Sequence, residues 1–119
     1  MALNQKYNHN LHVALPAPAD IVSGQPVKIG GYTGVAQISA KAGERVTIWL
    51  DGSYMVPVTG VVAVGDQINI DDAGKLVLAS AGGTPWGISN EAKADAAEAE
   101  VEVAPFGMVP VAPAAPAGA

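Results

Sequence analysis

Apolar and polar positions alternate most strictly over residues 44–50, where Val46, Ile48 and Leu50 fall on one face and Arg45, Thr47 and Trp49 on the other. A period of two predicts a strand with one face in a core. Leu11, Val13 and Leu15 alternate in the same way with His12 and Ala14, and Pro16 and Pro18 mark the end of that strand because proline cannot donate to a ladder. Ser23-Gly24-Gln25-Pro26 reads as a turn, residues 27–29 as a strand ended by Gly30-Gly31, and residues 34–38 as the next. Asp51-Gly52 predicts a tight hairpin joining residues 44–50 to 53–58, with Pro57 marking an edge or a bulge.

The second half continues the rhythm. Residues 61–64 are apolar, Gly65-Asp66 turns the chain, and residues 67–70 and 76–78 flank a hairpin turn at Asp71-Asp72-Ala73-Gly74. Trp86-Gly87-Ile88 begins another strand. Residues 90–100, alanine and acid, read as a short surface helix or a loop whose only apolar stripe is alanine. Val101 and Val103 alternate with Glu102 in a last strand that closes near Phe106-Gly107.

Many short strands, glycine turns and no long helix predict an all-β fold, a small barrel or sandwich of antiparallel strands. Valine-rich strands and a single phenylalanine predict a thin barrel filled by small side chains. The organisation expected is an N-terminal arm with a short strand over 1–15, a β-rich domain over 16–107 and a Pro/Ala-rich tail over 108–119, with both ends extended.

Size changes the picture. With 119 residues and polar or proline-rich ends, one compact domain of roughly 75–90 residues is expected, and a core that small is marginal. No cysteine is present to staple it, so association with other subunits is the natural remedy. The net charge of -5 and pI near 4.7 oppose nucleic-acid binding, which needs a basic face, and the six lysines and arginines are scattered. No stretch reaches the ~20 apolar residues of a membrane span, and the opening MALNQKYNHN lacks the pattern of a signal peptide, so the expectation is synthesis in the cytoplasm with no membrane partner.

Candidate chemistry is sparse. His9-x-x-His12 has a metal-like spacing, but the flanking residues do not make a helix and no further ligand lies nearby. Asp71-Asp72 is explained by turn chemistry, since the loop lacks the alternating oxygen ligands of a calcium hand. The serines sit in no nucleophile elbow, and the glycine pairs do not form a phosphate loop. No catalytic residue, cofactor or metal is expected, and the chain reads as a non-enzyme. The aromatics are the better clue, because exposed aromatics on a small barrel anchor interfaces. Leu11, Val13, Trp49, Tyr54, Trp86 and Phe106 are the candidate partner-binding residues.

Taken in order, Ala17 to Ala19, Ser23 to Val27, Gly34 to Ala36, Ala42 to Glu44, Gly52 to Pro57, and Gly65-Asp66 with Asp72 to Gly74 resemble the small phage capsid cement, or decoration, proteins. The pattern spans roughly residues 16–90. It depends on the order and spacing of motifs that are individually unspecific. The resemblance implies a homotrimer on the outer face of an assembled head, clamping neighbouring copies of the major capsid protein. Two features depart from the pattern, namely the acidic segment with the proline-rich tail, and a longer N-terminal arm. Two other readings remain: a carbohydrate-binding β module using Trp49, Tyr54 and Trp86, and a recombination-associated DNA-binding protein.

Overall fold

The structure, a computed structural model, describes residues 12–110. Nine strands form two layers: β1 (His12–Pro16), β2 (Pro26–Ile29), β3 (Tyr32–Ala36), β4 (Arg45–Trp49), β5 (Tyr54–Thr59), β6 (Gln67–Ile70), β7 (Leu76–Leu78), β8 (Thr84–Ser89) and β9 (Ala99–Pro105). The first four make an antiparallel sheet in the order β1-β4-β3-β2, and the last five close into a barrel in the order β5-β7-β6-β8-β9. The expected all-β fold is therefore present as a closed barrel joined to an open sheet.

The alternation over residues 44–50 survives intact, with Val46, Ile48 and Leu50 buried and Trp49 half-buried on the opposite face. The turn that follows differs from expectation. Asp51-Gly52 does not close a hairpin: β4 pairs with β1 and β3, whereas β5 pairs with β7 and β9. Gly52 has the positive φ of 89° that an Asp-Gly turn requires, but the turn carries the chain from sheet to barrel. Local turn chemistry sets the backbone angle, and long-range pairing chooses the partner.

Other boundaries shift for similar reasons. The β2–β3 hairpin pairs Ile29 with Tyr32 across Gly30-Gly31, so β3 begins at Tyr32 and leaves Ile38 outside, half exposed. Pro57 lies inside β5 opposite Glu100, one residue before the pairing with β7 begins at Val58. Residues 90–98 contain no helix. Their backbone is drawn into non-local bonds, with Val62 and Lys93 exchanging N–H···O bonds of 2.9 and 2.8 Å and Gly60 N–H donating to Ala96 O. Lys93 Nζ crosses the loop to donate to the carbonyls of Asp95 and Ala97. A helix-length stretch whose apolar stripe is alanine has little packing energy to resist this.

Two cores result. The barrel encloses Val56, Val58, Ile68, Ile70, Leu76, Val101 and Val103, and Val35 of the sheet reaches into it. The sheet packs Val46, Ile48, Leu50, Ala36 and Val27 beneath Ala17, Ile21 and Ala40, with Val13, Leu15, Ile29 and Tyr32 half-buried at its margin. The barrel is not filled by small side chains alone. Trp86 is fully buried there, and it is the extra residue of a β-bulge, because Ile68 pairs with Gly87 while Asn69 pairs with Pro85. Bulges re-aim side chains, and this one sends the indole across to the sheet, where Nε1 donates to Val27 O at 3.0 Å.

A second connection comes from the chain beyond β9. Thr33 N–H donates to Gly107 O and Thr33 Oγ1 accepts from Gly107 N–H, both at 2.9 Å, and Val109 N–H donates to Gly31 O at 2.7 Å. Residues 107–109 thus extend the sheet alongside β3. Gly107 is required there twice over, by its φ of 82° and because a Cβ would meet Leu50 O at 2.9 Å.

Candidate interaction surface

The six candidate residues do not converge. Leu11 lies outside the described residues. Val13 sits half-buried on β1 opposite Ile48, next to the pair His12 and Trp49, whose ring centroids are 5.1 Å apart with planes tilted by 35°. This β1–β4 corner is at the edge of the sheet. Tyr54 is elsewhere, at the crossover into the barrel, where its hydroxyl donates to Asp51 O at 2.6 Å. Burial, reinforced by the nearby Asp51 carboxylate, raises its pKa above the ordinary phenol value. Phe106 is 41% exposed at the junction of barrel and sheet, its N–H bonded to Trp86 O.

Trp86 corrects the expectation directly. Its side chain is fully buried and hydrogen-bonded, so it offers no surface to a partner and serves instead to hold the barrel against the sheet. The sequence signal was misleading because a tryptophan beside a proline and a glycine looks the same in a surface loop and in a bulge.

The exposed apolar residues are mostly aliphatic, and sequence reasoning missed them. Val22 and Ile38 stand out at 65% and 50% exposure, brought to one end of the sheet by the bridge between Ile21 and Ala40. Ser23 fixes this corner, donating from Oγ to Gln37 O and from N–H to Ser39 Oγ. Met55 projects from β5, Val61 and Val64 from the following loop, and Met108 from the segment beside β3. Only for Met55 was there a signal, the alternation of β5, in which Val56 and Val58 point inward.

Charge is unevenly distributed. Residues 91–102 hold Glu91, Asp95, Glu98, Glu100 and Glu102 against Lys93 alone. Glu102 accepts from Asn90 Nδ2 at 2.8 Å, and that bond, with a second from Ser53, lowers its carboxyl pKa. Among the described residues no three His, Cys, Asp or Glu side chains gather as metal ligands, and no helix is long and apolar enough to cross a membrane. His9 lies outside the described residues.

A closed barrel joined to an open sheet with an interrupted apolar surface defines a small β module. The chain belongs to the phage cement protein family, whose sequence profile matches residues 5–105. Compared with curated proteins, the chain gives no significant match. Membership extends the resemblance over most of the chain and assigns a structural role in stabilising the phage capsid, to which the protein binds as a component of the virion. That role speaks for a structural protein rather than an enzyme.

Proposed function

We propose that the protein docks on the outer face of the assembled head as a trimer and clamps neighbouring major capsid subunits, using the free edge of β1 and the chain that leads into it. The observation that carries this reading is the contrast between edges. The barrel is closed, with each of its strands paired to a neighbour on both sides, whereas among the described residues β1 pairs only with β4 and ends the sheet. An exposed antiparallel edge recruits a further strand through main-chain hydrogen bonds, with little demand on sequence.

Residues 1–11 immediately precede β1 in the sequence, and Val13 with the His12–Trp49 pair supplies an apolar corner beside its edge. In this proposal Phe106 and Tyr54 make contacts between cement subunits. Weak contacts of this kind, repeated over a lattice, accumulate through effective concentration. Residues 16–107 act as the docking body in this proposal. Residues 105–109, by contrast, are bound along β8 and β3 of their own chain.

Deletion of residues 1–11, with co-sedimentation on undecorated heads as the readout, tests the clamp. The variant should keep its thermal transition and lose most of its occupancy; full occupancy would sink the edge mechanism. Sedimentation of the free protein then measures whether three copies associate before docking. An acidic chain without a basic groove gives neither DNA nor a membrane a comparable foothold.

A further inference from the structure

Asp51 and Gly52 lie in the crossover that carries the chain from the sheet to the barrel, and both are exposed. We infer that this pair is a site of spontaneous covalent modification in the folded protein, at which the backbone isomerises from an aspartyl to an isoaspartyl linkage. In the first step Gly52 N attacks Asp51 Cγ. A C–N bond forms, and one carboxyl oxygen leaves as water with the amide proton and the acid proton. The cyclic imide then takes up one water. Attack at Cγ restores the original chain, whereas attack at the main-chain carbonyl carbon of Asp51 breaks its bond to Gly52 N and leaves the backbone running through the side chain. One water is lost and one regained, so the step needs no oxidant, reductant or cofactor.

Ring closure requires a carboxyl and a following N–H that are both free, and this requirement separates Asp51 from the other aspartates. Asp20 Oδ1 accepts from Ala42 N–H, Asp66 Oδ2 from Ala63 N–H, Asp71 Oδ1 from Ala73 and Lys75 N–H, and Asp95 Oδ1 from Ala97 N–H. Bonds of this kind hold each carboxyl away from the nitrogen that follows it. Asp72 is held differently: its following nitrogen, Ala73 N–H, is already bound to Asp71 Oδ1 at 3.0 Å. At the crossover, neither the Asp51 carboxyl nor Gly52 N–H has a hydrogen-bond partner among the described residues. Gly52 also has a φ of 89° and no Cβ to crowd the attacking nitrogen.

The position gives the modification a structural consequence. Leu50, one residue before the pair, is buried in the sheet core, and Tyr54, two residues after it, donates its hydroxyl to Asp51 O at 2.6 Å. Isomerisation inserts one methylene carbon into this short link. It also moves the oxygen bonded by Tyr54 off the main chain and onto a branch. The net charge does not change, because one carboxylate replaces another. Closure of the barrel and pairing of the sheet are untouched, and the effect is confined to the covalent link between them.

Ageing the full chain at neutral pH, followed by peptide mapping with electron-transfer mass spectrometry, tests the inference. Isoaspartate should accumulate at residue 51 about tenfold faster than at residues 20, 66, 71, 72 or 95, whose carboxyl or following N–H is held by a turn bond. Labelling with an isoaspartyl methyltransferase measures the total, and Asp51→Glu, which keeps the charge but must close a larger ring, should remove most of that label without shifting the thermal transition. Equal rates at all the aspartates would overturn the inference. Isomerisation at residue 51 in the urea-unfolded chain but not in the folded protein would overturn it as well, by showing that the crossover holds the pair out of reach.

Discussion

The barrel's five strands close on one another and bury their inward side chains almost completely, with Val58, Ile68, Trp86 and Val103 at zero exposure. The four-stranded sheet keeps two edges, and its core is roofed by the loops that carry Ala17, Ile21 and Ala40, leaving Val13, Leu15, Ile29 and Tyr32 half covered. Both regions are built from the same short, valine-rich strands. What separates them is closure. A closed sheet spends its hydrogen-bonding groups on itself and becomes a rigid support, whereas an open one keeps groups available for another chain. In a capsid-stabilising protein of this family the two properties are divided between two ends of one small molecule.

The division can be broken most severely where the halves are joined. Trp86→Ala should cost about 4 kcal/mol, since it empties a buried site in the barrel and also removes the bond to Val27 O. Val13→Ala, at the half-buried sheet margin, should cost about 1 kcal/mol. Urea denaturation followed by tryptophan-independent circular dichroism compares them, and similar losses would contradict the assignment of stability to the barrel.

An effect between those two is expected at Thr33, which is fully buried and accepts from Gly107 N–H. Thr33→Val keeps the shape and leaves that donor without a partner, so stability should fall by about 2 kcal/mol. Exchange at Gly107 should accelerate more than exchange at Val101. Uniform acceleration would mean that the segment after β9 is not a separate connection between barrel and sheet.

The smallest expected effect is alkaline. Tyr54 has a raised pKa in the folded protein, so its stabilising contribution is complete below the ordinary phenol pKa and is lost as pH rises through the folded value. Tyr54→Phe should flatten that alkaline decline in thermal stability while leaving the acid side unchanged. An unaltered alkaline limb would remove Tyr54 from the crossover's stability. On the acid side, the lowered pKa of Glu102 gives the opposite sign, a contribution present above the ordinary carboxylate pKa and lost as pH falls through the folded value.

Most strands were legible because each carries its own period. Residues 67–70 and 76–78 appear where alternation placed them, joined across Asp71, whose Oδ1 accepts from Ala73 and Lys75 N–H as turn chemistry requires. The candidate contact residues were less legible. Trp49 is half-buried on the face opposite the core, as alternation predicted, but Trp86 is hidden by a bulge that has no local signature. Val22 and Ile38 are sixteen residues apart and become neighbours only through the bridge at Ile21 and Ala40.

Sequence alone determined the all-β class, the core face of β4, the turn at Asp71–Gly74 and the acidic net charge, because these follow from side-chain period, backbone preference and composition. Tertiary structure decided which strands pair. It converted Asp51-Gly52 from an apparent hairpin into a crossover, closed β5 against β9, and left β1 and β2 as edges. The reason is that a strand's hydrogen-bonding groups are the same whatever its sequence. Their partners are chosen by the global arrangement that buries both cores at once.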